Sequence, residues 1–449
     1  MASTYLTKTF STTGDRQKFT LSMWFKRGLV PIGNQAGTEG MLFNAYQDSG
    51  NQDQIWLQSN GTINYVRNNA NAVTPSQMLR DPSAWYHVVF AGDTTQGSNA
   101  DRLKVYINGT QAPIGQQDTI AQNSNFGAIN NAQQYTFGRR NGSNDRYFDG
   151  SISHVHMIDG TAYDASAFGE IDSTTGQWKI KTSPSVTYGT NGFFILKDGN
   201  SVTDQSGNSN NFTVGGGTLT KTEDNPSNVF ATGNNLIGRH TNGTNLVPAL
   251  SNGNLTALAD GSTWQIFKST LGASSGKYYA EFKWISDSNT RYAYVGIYDE
   301  DNYAEKATGY PYMGDMANGY GYYSESGDYW NNSSSTSFGS SFNSSGDGIQ
   351  GVAMDLDNSK LYFSKNGVWQ GSGDPSNGTG GISITANRTY TFGLQIYAVG
   401  SIKYSVNFGN GYFGTTAVSS AGTNASGNGI FEYDVPTGFT ALTTKGLNL

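Results

Sequence analysis

Few residues in this sequence are able to carry covalent or acid–base chemistry. The chain has 449 residues, four histidines and no cysteine. Thiolate nucleophiles, thiolate metal sites and disulfides are therefore excluded from it. Gly272-Ala273-Ser274-Ser275-Gly276 matches the Gly-x-Ser-x-Gly nucleophile elbow, which exposes its serine only on a strand-to-helix turn. A β-type segment follows at Lys277, so the match is expected to be a chance product of Gly/Ser-rich composition. His154 and His156 are two apart and would share one face of a strand, a spacing compatible with metal ligation. No third histidine or carboxylate cluster lies close in sequence, so both are expected as outward-facing strand residues and no metal is assigned. His87 sits inside an apolar run and is expected as a hydrogen-bonded core or edge residue, not a base; His240 falls in a polar connection. Asp198, Asp204, Asp299, Glu300 and Asp301 offer oxygen ligands without the spacing of a calcium loop and read as turn acids. The expectation is no catalytic residue, no metal and no cofactor.

A richer signal lies between Tyr310 and Ser345. Tyr312, Tyr320, Tyr322, Tyr323, Tyr329 and Trp330 stand there in a Gly/Ser/Asn background. Rigid amphipathic rings contact much area at low entropic cost. Their faces also stack on sugar rings. Tyr323, Asp328, Tyr329 and Trp330 are the candidate ligand-binding residues, although alternation equally lets Tyr320, Tyr322 and Tyr329 fill a core.

Positioning such residues requires strands. Charged residues make up 14% and aromatics 13%, with 58 Gly, which argues for ordered short strands joined by tight turns. Helical periodicity is almost absent, whereas period-2 alternation recurs. Phe19 to Phe25 places Phe19, Leu21, Met23 and Phe25 on one face; Leu103 to Ile107 ends in an Asn108-Gly109 turn. The net charge of −7 and the absence of Lys/Arg clusters exclude a general nucleic-acid footprint, and no apolar run reaches membrane-spanning length. Met1 to Phe10 has no signal-peptide pattern, so the sequons at Asn60, Asn108 and Asn387 are read as chance. The fold class is all-β: two antiparallel β-sandwich (jelly-roll) domains in series. The expected division is 1–217 for the first, 218–261 for a linker, 262–435 for the second and 436–449 for a C-terminal tail.

Particular segments resemble known families. Phe19-Thr20-Leu21-Ser22-Met23-Trp24-Phe25, Trp85-Tyr86-His87-Val88 with Leu103-Lys104-Val105-Tyr106-Ile107, and Tyr147-Phe148-Asp149-Gly150-Ser151-Ile152 resemble laminin-G-like, concanavalin A-like domains in order and spacing. That resemblance implies two stacked sheets, and the fold hosts lectins, glycan hydrolases and structural modules alike. Hydrolytic members carry Glu-x-Asp-x-x-Glu on a strand, with two of the acids acting at the scissile bond. Here Glu170 and Asp172 match, Thr175 stands in the third position, and the surroundings read as a turn, so hydrolysis is not expected. Gly276 to Phe282, Ala293 to Ile297, and Gly348 to Asp357 running into Lys360 to Gly367 resemble SPRY domains, which bind partners through loops and carry no catalysis. In that hairpin Val352, Met354 and Leu356 are expected inward, with Ala353, Asp355 and Asp357 outward.

Two further segments resemble large bacteriophage structural proteins. They are the junction from Tyr188 to Phe212 and the ending Pro436-Thr437-Gly438-Phe439-Thr440-Ala441-Leu442. What this implies is a non-enzymatic virion protein: a tail fibre or appendage, or a capsid decoration. Its partners would be other virion proteins, further copies of itself and a host-surface glycan. The competing readings are a carbohydrate-binding module of a bacterial surface protein and a polysaccharide depolymerase.

Overall fold

The computed structural model describes residues 3–30, 39–237, 247–259, 264–285, 292–300, 313–342, 348–397 and 402–448, without the side chains of Asn71 and Ile402. It is all-β and divides into two compact units. The first holds Met1–Lys221 with Asn225–Ser227, and the second holds Thr222–Asp224 with Asn228–Leu449.

Among the described residues, the first unit contains a sheet of eight strands and a sheet of six. The larger runs, in spatial order, Ile114–Gln117, Ala70–Pro75, Ile63–Arg67, Asn51–Leu57, Gly40–Asp48, Gln134–Phe137, Tyr5–Thr9 and Thr213–Gly216. The smaller runs Phe193–Ile195, Gly150–Asp159, Lys18–Arg27, Tyr86–Asp93, Leu103–Ile107 and Thr110–Gln111. Phe19, Leu21, Met23 and Phe25 leave the smaller sheet on one face, as alternation requires. They meet Phe43, Tyr65, Tyr135 and Phe137 of the larger sheet in a single core. The Asn108-Gly109 turn forms, both residues holding positive φ (48° and 85°). Asp53 is buried under this sandwich. Its carboxylate accepts from the Tyr65 hydroxyl (2.6 Å) and from the backbone N–H groups of Gly127, Ala128 and Ile129 (3.2, 2.6 and 2.7 Å).

The second unit repeats the sandwich plan. One sheet runs Ala249–Ser251, Thr256–Ala259, Ile402–Asn407, Lys277–Trp284, Ile349–Asp355, Lys360–Lys365 and Val368–Trp369. The other runs Trp264–Ala273, Tyr390–Tyr397, Tyr292–Asp299, Tyr320–Tyr323, Asp328–Asn331 and Ser334–Ser337. Phe267 against Phe408 (6.3 Å) and Tyr322 against Phe363 (5.2 Å) join the two sheets through the core. In the central hairpin Val352 pairs with Phe363 and Met354 with Leu361.

Three expectations need correction. The stretch 218–261 is not a free linker: Thr256–Ala259 pairs with Ile402–Asn407, and Phe230 bridges antiparallel to Thr443. Its polar composition hides a buried alternation of Leu255, Ala257 and Ala259. The stretch 436–449 is not a loose tail either. Thr440–Ala441 adds in parallel to Tyr278–Tyr279, and Phe439, Ala441 and Leu442 are buried. Ala353 and Asp355, expected outward, are buried for the same reason. The far face of their sheet is covered by Phe431, Val435 and Phe439, so both faces of the strand are interior.

That covering segment is pinned by Glu281, whose side chain is fully buried. Oε1 accepts from the Tyr433 N–H (2.8 Å) and the Tyr279 hydroxyl (3.3 Å). Oε2 accepts from the Glu432 N–H (2.9 Å) and the Asn407 side-chain amide (3.1 Å). Burial outweighs these four donors and raises the carboxyl to about 7.

Candidate functional site

The histidines of the first unit are built into its interior. His87 is buried and stacked on Trp24 (4.8 Å) and Trp178 (5.9 Å). The Trp178 indole N–H, which only donates, reaches Nδ1 at 2.9 Å. The ring proton therefore sits on Nε2 and is donated to Ser22 Oγ, 2.9 Å away. A serine nucleophile needs the reverse polarity, with Nε2 accepting the hydroxyl proton. Burial lowers His87 to about 3, which keeps it neutral. This fits the expected core role. His156, in contrast, is not outward-facing: it is buried, 3.8 Å from the Phe194 ring, and its Nδ1 lies 2.9 Å from the Tyr188 hydroxyl. A register shift between Ser153 and His156 accompanies positive φ at His154 (48°), so the two do not present a shared outer face. His154 is only half-exposed, and its Nδ1 lies 2.7 Å from Ser153 Oγ. His240 lies outside the described residues.

Glu170 and Asp172 belong to a hairpin, not to a simple turn: Gly169–Ile171 pairs with Trp178–Ile180. Lys179 Nζ ties both carboxylates, at 3.4 and 3.2 Å. Asp172 also accepts the Thr174 and Thr175 N–H groups (both 2.9 Å), and these lead the causes that draw it down to about 2. Ser274 sits between Trp264–Ala273 and Lys277–Trp284, a strand-to-strand connection. Of the acids considered for calcium, Asp204 accepts four internal hydrogen bonds, Asp299 accepts from the Asn318 side chain (2.8 Å), and Glu300 pairs with Lys268 (2.5 Å). Asp301 lies outside the described residues. Among the described residues, no cluster of three or more metal-ligating side chains occurs.

The aromatic candidates fall on the six-stranded sheet of the second unit. Gly321 pairs with Trp330 and Tyr322 with Tyr329. Alternation then places Trp330, Asp328 and Tyr323 on one face of that sheet and Tyr329 on the other. Tyr329 accordingly packs edge-on against Phe338 (5.7 Å), beside Tyr322, whose hydroxyl donates to the Ser340 carbonyl (2.7 Å). Three of the four candidate residues are thus brought together, and Tyr329 is not among them.

Sequence reasoning missed their neighbours, which come from distant strands. Tyr294 stacks on Tyr323 (4.6 Å) and meets Trp330 edge-on (6.2 Å). Trp264 lies 5.4 Å from Tyr294 and 5.4 Å from Tyr397, and Tyr292 lies 6.1 Å from Tyr397. Six rings therefore form a diagonal ladder across five adjacent strands. Four interstrand steps make it about 19 Å long. All except the buried Tyr294 are half-exposed. The Tyr292-x-Tyr294 alternation was a legible signal; Trp264 and Tyr397 gave none without the register.

Glycines make room beneath the ladder. A Cβ on Gly321 would lie 3.0 Å from Met313 Sδ, and one on Gly393 would lie 2.3 Å from the Tyr298 ring and 2.9 Å from Met313 Cε. Met313 fills that hollow and is buried. Its backbone N–H donates to Gln395 Oε1 (2.7 Å). The Tyr323 hydroxyl donates to Glu325 Oε2 (2.9 Å), which fixes the ring. Burial first, then Glu325, pushes the Tyr323 phenol well above its ordinary range. The Trp330 indole N–H is buried and has no acceptor. Such a site offers flat apolar faces, a donor without a partner and carboxylates at one edge. It has the means to bind and orient a ligand, and among the described residues its side chains show no nucleophile paired with a base. Of the other aromatics in the expected region, Tyr320 is buried, and Tyr310 and Tyr312 lie outside the described residues.

Comparison with known proteins gives the following. Residues 2–166 match the Laminin_G_3 family, described as the concanavalin A-like lectin/glucanases superfamily. No curated protein sequence matches the chain. Among solved structures, the chain is similar to a heptameric SAP-like pentraxin from Limulus polyphemus (17% identity, 36% of this chain, 71% of that one, TM-score 0.27). It is also similar to the SPRY domain of human HERC1 (15% identity, 34% of this chain, 87% of that one, TM-score 0.26). A third is stonustoxin (18% identity, 39% of this chain, TM-score 0.29), of whose length the match spans 27%.

Proposed function

We propose that the chain is a non-enzymatic adhesive component of a bacterial virus particle, and that the ring ladder of its second unit takes a saccharide on the host surface. The observation that carries the adhesive part is the ladder itself. Six rings from five strands share one face, Glu325 holds Tyr323 in place, and the Trp330 N–H awaits an acceptor. Sugar rings present apolar faces to such platforms and hydroxyl oxygens to such donors. The particle assignment rests on the resemblance of Tyr188 to Phe212 and of Pro436 to Leu442 to phage structural proteins. The lectin-type family matched by residues 2–166 is compatible with it. On a particle, repeated copies would turn weak single-site binding into avidity.

The test is an array of bacterial surface polysaccharides probed with the full chain and with a Tyr323→Ala/Trp330→Ala variant. Saturable binding is expected. Loss of two anchoring rings, at about 2 kcal/mol for one such anchor, should weaken it at least 30-fold without changing far-UV dichroism. Binding by the variant equal to the parent would remove the ladder from the account. Absence of the chain from purified virus particles, sought by mass spectrometry, would remove the virion assignment.

A further inference from the structure

The first unit carries a second, chemically different cluster of side chains. Hairpin 139–146 folds onto the outer face of the eight-stranded sheet, where the Asn141 N–H donates to Asn44 Oδ1 (2.8 Å) and the Met41 N–H to the Arg146 carbonyl (2.9 Å). Arg140 and Asp145 bridge the hairpin and form an ion pair. Arg139 and Arg146 flank that bridge, one on each strand. The Arg139 guanidinium lies 3.7 Å above the Tyr5 ring and that of Arg146 lies 4.0 Å above Trp56.

These two arginines differ from the others. Arg16, Arg27, Arg67, Arg80 and Arg102 donate to backbone carbonyls, and Arg140 and Arg388 face carboxylates. Among the described residues, Arg139 and Arg146 alone of the arginines have neither a hydrogen bond nor an ion pair from the guanidinium. Arg139 Nε is buried with no acceptor, as is the Trp56 indole N–H on the same face. Asp145 is engaged by Arg140, and Glu39 acts on Arg146 only at longer range. Two half-buried cations and two donors without acceptors are thus gathered in a chain of net charge −7. Leaving such donors unmet is unfavourable unless a ligand supplies acceptors.

We propose that this face binds an acidic polysaccharide, with Arg139 and Arg146 each taking an anionic group. A guanidinium held over a ring keeps its planar fork available for bidentate pairing with a carboxylate or sulfate. Tyr5 and Trp56 stand on strands three places apart, about 14 Å, so the site suits a chain with repeated charges, not a lone ion. Nucleic acid is disfavoured, because two cations in an acidic chain give too few phosphate contacts to hold it at physiological salt. This site is independent of the ring ladder.

The test uses the full chain against polygalacturonate, dextran sulfate, unsubstituted dextran and single-stranded DNA of matched length. Binding to polygalacturonate or dextran sulfate is expected, and whichever binds more tightly identifies the anionic group. Binding should weaken at 0.5 M NaCl, fall at least tenfold in Arg139→Gln/Arg146→Gln, and persist in Tyr323→Ala/Trp330→Ala. Equal binding of unsubstituted dextran, an unchanged affinity in the Gln variant, or DNA bound as tightly through the same arginines would overturn the proposal. A second measurement needs no variant: the bound acidic polymer should protect Arg139 and Arg146 of the unmodified chain from phenylglyoxal, and unprotected arginines would refute the site.

Discussion

Glu281→Gln should reveal a carboxylate that the fold holds against its ionisation. The folded value is about 7, raised by burial from an ordinary 4.5. Between those values the folded state binds more protons than the unfolded one, so this group's contribution to stability is full below about pH 4.5 and is lost as pH rises towards 7. The shift of about 2.5 units corresponds to about 3 kcal/mol. Glutamine does not titrate. The difference in unfolding free energy, parent minus variant, should therefore fall by about 3 kcal/mol from pH 4.5 to 7 and then level off. Guanidinium denaturation at fixed pH values measures it, and the transition that moves between the two proteins identifies the second unit. A difference that stays flat across this window, or one that rises with pH, would refute the reasoning. The pin should also be visible locally, because the Glu432 and Tyr433 N–H groups share the carboxylate. At neutral pH both amides should exchange faster in the variant.

Other outcomes follow from the same geometry. The first unit should respond to acid in the opposite sense: His87, His154 and His156 are all held below the ordinary histidine value, so its stability should drop as pH falls below about 6.5, and His87→Phe should remove about 1.4 kcal/mol per pH unit from the slope of that limb in calorimetry. Asp53→Ala leaves a phenol and three backbone donors without their acceptor and should cost at least 3 kcal/mol, read from the first unit's denaturation midpoint. Gly393→Ala drives a methyl into the Tyr298 ring and Met313, so it should lower the second unit's stability by about 1–3 kcal/mol and blunt saccharide binding; unchanged stability and binding would show that the hollow is not tightly filled.

Strands whose two faces differ were legible from sequence. Phe19 to Phe25 alternates between core and outer face, and the tight turns at Asn108-Gly109 and Asn366-Gly367 carry their own φ requirement. Ala353 and Asp355 were misread because alternation assumes one wet face, and here a segment some eighty residues downstream covers it. The strand Thr256–Ala259 was missed because small and polar residues carry little periodic signal, although their neighbours bury them. At the candidate site, the local cluster of Tyr323, Asp328 and Trp330 was readable because it lies within one hairpin. Trp264, Tyr294 and Tyr397 join it only through strand order, which hydrogen bonding between distant segments decides. The basic face of the first unit left no local trace either, since Tyr5, Trp56 and Arg139 are far apart in the chain.

Each unit is closed by segments from its own two ends. In the first, Tyr5 is paired with Gly216 and Thr7 with Thr213. In the second, the Ala231 N–H donates to the Leu442 carbonyl (3.0 Å) and the Thr444 N–H to the Val229 carbonyl (2.9 Å). Both closures are antiparallel, with the incoming and outgoing chain on the same side. Tension along the polypeptide would therefore load these pairs one after another, as a zipper is pulled, and not all at once in shear. Each unit would begin to peel open at modest force. A tether made of such units would lengthen and dissipate a sudden pull before its bound end let go.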